Sequence, residues 1–186
     1  MHWLKFMSGR ALPAAIAIAL STLSAPAVAS VETVEAKAEA ADAAMMARAD
    51  MDMVFGSKFP KPGQYIWRSG GFDGAPRVIV SIRDQLAYLY RGDDLVAVAA
   101  ISTGKDEKPT PTGIFSVLDK KPMHRSIKYD NAPMPFMQRI DDYGVALHAG
   151  HNPGYPASHG CIRLPAEFAK RLFQITDLGA TVMIGA

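Results

Sequence analysis

The 186-residue chain has a single cysteine, Cys161, so no internal disulfide can staple it. It also lacks an unbroken, strongly apolar run of the ~20 residues that a bilayer core requires. The best candidate, the uncharged stretch Ala11 to Ala29, is strongly apolar only over Ala11–Leu23 and is interrupted by Pro13 and Pro26. There is no clustered basic stripe, which argues against nucleic acid as a partner, and no internal repeat. Against these absences stands a 49% apolar composition, enough for one sizeable core and one domain.

The first residues differ from the rest. Lys5 and Arg10 precede the uncharged stretch, which ends in Ala27-Val28-Ala29, a small-x-small pattern suited to a signal peptidase. Residues 1–29 are therefore expected to be a cleavable signal peptide. The protein would then be exported, to the periplasm or cell wall, with no stable membrane span after cleavage. No cysteine follows the small residues, so a lipoprotein anchor has no support. Export also gives the lone cysteine a meaning, because secreted proteins usually pair their thiols. Cys161 is either an inert buried group or one retained for its reactivity.

Charge changes sign along the chain. Residues 30–54 carry six acids against Lys37 and Arg48, net −4, whereas residues 55–186 carry sixteen bases against twelve acids, net +4. The second part suits an anionic polymer as substrate. Residues 30–62 open with an Ala-, acid- and Met-rich stretch that favours helix but has few large apolar side chains to hold it down, so they are expected to form a flexible or helical spacer.

Residues 63–186 are expected to form the folded domain. Tyr65–Arg68, Arg77–Ile82, Leu86–Arg91 and Leu95–Ser102 are rich in β-branched or aromatic residues and separated by turn formers, the spacing of an antiparallel meander. Residues 113–117 and 144–148 add strands, and Thr181–Ile184 closes the chain as another. Lys120–Met137, with Pro122, Pro133 and Pro135, is expected to be a long irregular excursion that acts as a lid. Pro165 starts a helix whose apolar face is Phe168, Leu172 and Ile175. The fold class is mainly β, a sandwich or barrel with one helix after the cysteine loop.

Three of the five histidines and the only cysteine lie within residues 147–164. A free thiol, with a pKa of ~8.5, is mostly protonated at neutral pH and needs a histidine or other cation to become a nucleophile. His148 ends an expected strand and can serve as that partner. Cys161 is expected at the mouth of the helix, where unpaired N–H groups favour a negative sulfur and could also hold an oxyanion. Gly160 would let a substrate approach the backbone closely. The competing reading is a zinc site built from His148, His151, His159 and Cys161, but the spacing fits no familiar zinc pattern and no acid stands between Leu147 and Leu164. A third reading is a noncatalytic wall-binding module.

Ser158-His159-Gly160-Cys161-Ile162-Arg163, with His148 upstream, resembles the signature of the L,D-transpeptidase (YkuD-type) catalytic domain family. Ser102-Thr103-Gly104-Lys105 followed by Thr110-Pro111-Thr112-Gly113 is similar to that family's strand-loop-strand pair, and the resemblance covers about residues 76–186. It implies that Cys161 attacks a donor carbonyl and that His148 acts as base and acid, its ring oriented by a backbone carbonyl. It implies that His159 and Gly160 shape the oxyanion site and that Arg163 braces the loop or meets a substrate carboxylate; Ser158 and His151 are further candidates on the substrate side. The substrates would be peptidoglycan stem peptides, a donor tetrapeptide and an amine acceptor, with carbapenem-type inhibitors as ligands. No cofactor or metal is called for, and the oligomeric default is a monomer. Water in place of the amine would make the same residues a carboxypeptidase or endopeptidase. Only nine residues separate His148 from Ser158, and His151 lies among them.

Overall fold

The computed structural model describes residues 30–186; the expected signal peptide, residues 1–29, lies outside them. A seven-stranded sheet forms the centre. Its strands are β1 (Ser30–Val31), β2 (Tyr65–Trp67), β3 (Pro76–Ser81), β4 (Leu86–Arg91), β5 (Asp94–Ala100), β6 (Gly113–Ser116) and β11 (Thr181–Gly185), in the order β1-β6-β11-β3-β4-β5-β2. A second sheet carries β7 (Asp119–Ser126), β8 (Ala132–Arg139), β9 (Ala146–Ala149) and β10 (Ile162–Leu164), in the order β10-β9-β8-β7. The helices are α1 (Val34–Phe55) and α2 (Ala166–Ile175). This is the mainly β, two-sheet architecture expected, and β3, β4 and β5 form the antiparallel meander. β2 continues that sheet by pairing with β5 rather than with its neighbour in sequence.

The large sheet is buried on both faces, and its strands show why. In β4, Ala87 and Leu89 enter one core with the second sheet and α2, while Leu86, Tyr88 and Tyr90 enter another with α1. Such two-sided burial demands unbroken apolar runs rather than alternation. The stretch expected as a spacer, residues 30–62, contains helix α1 packed on that sheet, with Thr33 capping it by accepting the Ala36 N–H at 3.2 Å. The helix lies on the sheet through Ala36, Ala40, Ala44, Ala47 and Met51, all on one side. Small side chains suffice because they let the backbones meet: a Cβ added at Gly185 would come within 2.5 Å of the Ala40 carbonyl oxygen. Tyr90 adds a hydrogen bond from its hydroxyl to Asp50, at 2.7 Å.

Residues 120–137 are a β-hairpin, which corrects the expected irregular excursion. The prolines are tolerated because β8 pairs with β9 only at Gln138 and Arg139, so Pro133 and Pro135 sit where the strand has one neighbour. Pro122 lies on β7, the sheet edge. The ladder skips Pro122 and Phe136, and Phe136 takes a left-handed φ of 56°. The outer hairpin thus joins the rest of its sheet through a kinked, lightly paired base.

Overpacking the helix–sheet contact with Ala40→Leu is expected to lower stability by about 1–3 kcal/mol, whereas Met46→Ala, at a position 69% exposed, should stay within about 0.5 kcal/mol. Thermal and urea unfolding measure both. Equal stabilities for the two variants would show that α1 is not docked.

Candidate active site

A parallel pairing of β9 with β10 assembles the site. Leu147 stands opposite Ile162 and Ala149 opposite Leu164, and all four point into the core. The period of two then turns His148 and its partner Arg163 to the other face. Cys161, two residues before Arg163, shares that face. There it packs against Met134, Met137 and Ala146.

His148 is only 7% exposed. Its Nδ1 lies 2.9 Å from the Ala149 carbonyl oxygen. A carbonyl only accepts, so Nδ1 carries the proton and Nε2 is left bare as a proton acceptor. Burial pushes the His148 pKa below its ordinary value; the Ala149 hydrogen bond opposes that shift, and the charges of Arg163 and His124 reinforce it. At neutral pH the ring is a neutral imidazole.

The Cys161 thiol is pushed the other way. Burial raises its pKa, the backbone of Ala146 works against this, the Asp141 carboxylate adds to it, and Arg163 lowers it. The sulfur approaches the Gly144 carbonyl at 3.8 Å. Cys161 does not stand at a helix mouth: Ile162–Leu164 is a strand and α2 starts only at Ala166, with Pro165 as its N-cap. Ile162 and Leu164 are both fully buried, and filling the core with both requires extended backbone. The sulfur is therefore without helix N–H groups to hold a thiolate at rest.

Residues 158–161 form a tight turn closed by Ser158, whose hydroxyl accepts the Gly160 N–H at 3.1 Å and donates to the Cys161 carbonyl. Gly160 takes a φ of 115° that other residues rarely adopt, and its carbonyl accepts from Thr110, which in turn accepts the Gly104 N–H at 2.8 Å. This ties the turn to the Ser102–Gly113 segment singled out in the sequence. Ser158 is 1% exposed and spent inside the turn, so it frames the cysteine rather than facing substrate, contrary to expectation.

The other expected site residues separate. Arg163 is half-buried and has no carboxylate within 4.0 Å among the described residues. Its stem lies on Gly150, where an added Cβ would meet Arg163 Cγ at 3.0 Å. The guanidinium is thus available beside the thiol and the imidazole. His151 is exposed on the loop after β9. His159 is exposed too, and turned away from an oxyanion role: its ring stacks on Tyr129 of the hairpin tip, with centroids 4.4 Å apart and planes 13° apart. Among the described residues no three His, Cys, Asp or Glu side chains are grouped to hold a metal.

Sequence reasoning missed Asp141. Its carboxylate accepts the Tyr143 and Val145 N–H groups at 3.0 and 2.7 Å and so bends the chain to bring Gly144 to the thiol. Asp141-Asp142-Tyr143-Gly144 carries an Asx-turn signal that could have revealed it. The hairpin residues Met137 and His124 at the site had no such local signal.

Known proteins share this fold. Residues 75–184 match the L,D-transpeptidase catalytic domain family, YkuD. The fold is similar to an L,D-transpeptidase from Mycobacterium smegmatis, at 20% identity and TM-score 0.56 over 60% of this chain and 58% of that one. It is also similar to the L,D-transpeptidase from Stackebrandtia nassauensis, at 23% identity and TM-score 0.56 over 74% and 65%. A third likeness is L,D-transpeptidase 3 from Mycobacterium tuberculosis in complex with a faropenem-derived adduct, at 24% identity and TM-score 0.52 over 60% and 60%. The chain thus spans about three-fifths of the length of the first of these solved structures. No curated protein matches the sequence. With its family signature on a two-sheet fold of the same kind, the chain belongs to the L,D-transpeptidase catalytic domain family.

Proposed function

We propose that this protein is a peptidoglycan L,D-transpeptidase that joins stem peptides through a thioester on Cys161. The observation that carries the reading is the shared face of Cys161, Arg163 and His148, with a bare His148 Nε2 and a half-buried thiol. The sulfur attacks the carbonyl of the third residue of a donor tetrapeptide while Nε2 takes the thiol proton. The Cys161 N–H, at the entry to β10, receives the developing oxyanion; the Gly160 N–H is already engaged by Ser158. Collapse releases the terminal D-alanine, its amine taking the proton from His148. An amine of a second stem then attacks the thioester, again losing its proton to Nε2, and the thiol is restored. Arg163 meets a carboxylate of the stem.

A neutral resting pair suits this order of events, because one proton moves between sulfur and nitrogen at the moment of attack. The net +4 charge of residues 55–186 favours an anionic wall polymer. Export to the periplasm or cell wall belongs to the same proposal, as does acylation by carbapenems; a related enzyme is known with a faropenem-derived adduct.

Incubating the protein with defined tetrapeptide muropeptides and weighing the products is expected to yield cross-linked dimers and free D-alanine. Cys161→Ala should give neither while melting like the parent. Dimers formed by Cys161→Ala would overturn the proposal, and trimmed monomers alone from the parent would make the enzyme a carboxypeptidase.

The pH dependence of kcat/KM tests the charge state. Falling pH protonates His148 only below its depressed pKa, so the acid limb should lie below ~6.5. Rising pH strips the pair's shared proton only above the elevated thiol pKa, so the alkaline limb should lie above ~8.5. These are macroscopic constants of the pair. An acid limb above ~6.5 would contradict a buried neutral imidazole.

A further inference from the structure

The hairpin of β7 and β8 borders the site. Met134 and Met137 pack beside Cys161, His124 is close enough for its charge to act on His148, and Tyr129 at the tip stacks on His159. The stack is nearly face to face and joins two elements 30 residues apart in sequence. His159 belongs to the turn that ends in Cys161, and Lys128 holds its ammonium 5.8 Å from the same Tyr129 ring. At the tip, the Tyr129 N–H bonds to the Ser126 carbonyl at 3.2 Å and the Ala132 N–H to the Tyr129 carbonyl at 2.9 Å. Ile127 at that tip is 95% exposed and packs on nothing.

The hairpin base is tied to α2 and the residues after it: Lys120 donates to the Phe173 and Thr176 carbonyls, the Thr176 hydroxyl lies against Gln138, and the Phe136 and Phe173 rings are 6.0 Å apart. β8 joins β9 through Gln138 and Arg139 alone, and the kink at Phe136 lies just outside that joint. Beyond the kink at Phe136, where Ile127 stands in solvent, the Tyr129–His159 stack joins the tip to the body of the protein.

We propose that Tyr129 is a positioning residue: by stacking on His159 it latches the hairpin tip against the catalytic turn and so governs how the Cys161 acyl-enzyme divides between an amine acceptor and water. This rests on the transpeptidase reading above. A closed tip shields the thioester from bulk water and keeps Gly160 and Cys161 in register for the incoming amine. An aromatic pair shifts such a closure by roughly three- to tenfold.

The test compares the full chain with Tyr129→Ala and Tyr129→Phe, following amide exchange over residues 127–132 and the ratio of cross-linked to hydrolysed muropeptide. Tyr129→Ala should exchange roughly three- to tenfold faster at the tip and shift the product ratio towards hydrolysis by a similar factor. Tyr129→Phe, which keeps the ring, should match the parent in both. Unchanged exchange in Tyr129→Ala would overturn the latch, and faster exchange with an unchanged ratio would overturn its role in partition. So would a shift in ratio that Tyr129→Phe reproduces in full, since the hydroxyl and not the stack would then be responsible. A parent protein that turns over no muropeptide would instead defeat the transpeptidase reading, with partition falling alongside it, while the exchange comparison still decides whether the stack holds the tip.

Discussion

The parallel register between β9 and β10 is the constraint on which the site depends. It sets Arg163 opposite His148 and sends Leu147, Ala149, Ile162 and Leu164 into the core. Because strand side chains alternate, burying those four leaves His148, Arg163 and Cys161 no choice of face. A slip of β10 by one residue would bury the Arg163 guanidinium and expose Ile162 and Leu164. The stability of the core and the assembly of the site are therefore one arrangement.

Burial in turn sets the chemistry of the pair. The same packing that holds His148 rigid removes water from it and lowers its pKa, and the methionines beside Cys161 do the opposite to the thiol. An enzyme that kept a thiolate waiting would need helix N–H groups or a cationic imidazole at the sulfur. Here the sulfur leads into a strand, and the imidazole donates its Nδ1–H in a hydrogen bond to a backbone carbonyl. In the proposed mechanism this arrangement stores a neutral, protected nucleophile and leaves activation to the arrival of a carbonyl. Ser158, Thr110 and Gly160 hold the turn on which that carbonyl would land.

Much of this was readable in the residues. The Ser158–Arg163 string and His148 identified the family, and the β-branched and aromatic runs between turn formers marked most strands within a residue or two. Three features resisted for distinct reasons. Helix α1 docks with alanines, whose burial leaves almost no hydrophobic-periodicity signal, although the unbroken apolar runs of β4 and β5 betray a second covered face. The β7–β8 hairpin was hidden by prolines that one-sided pairing makes harmless. The placement of Cys161 at a strand was misjudged because Pro165 marks a helix start close by, and the intervening Ile162 and Leu164 declare their extended form only through the core they fill.

The claim most open to direct test is that the thiol rests protonated beside a neutral imidazole. The rate of Cys161 alkylation by iodoacetamide, followed by intact mass as a function of pH, reports the thiolate fraction. Slow alkylation at neutral pH is expected, climbing with an apparent pKa above the ~8.5 of a free thiol. Alkylation already at its plateau at pH ~7 would reveal a resting thiolate–imidazolium pair and contradict that claim.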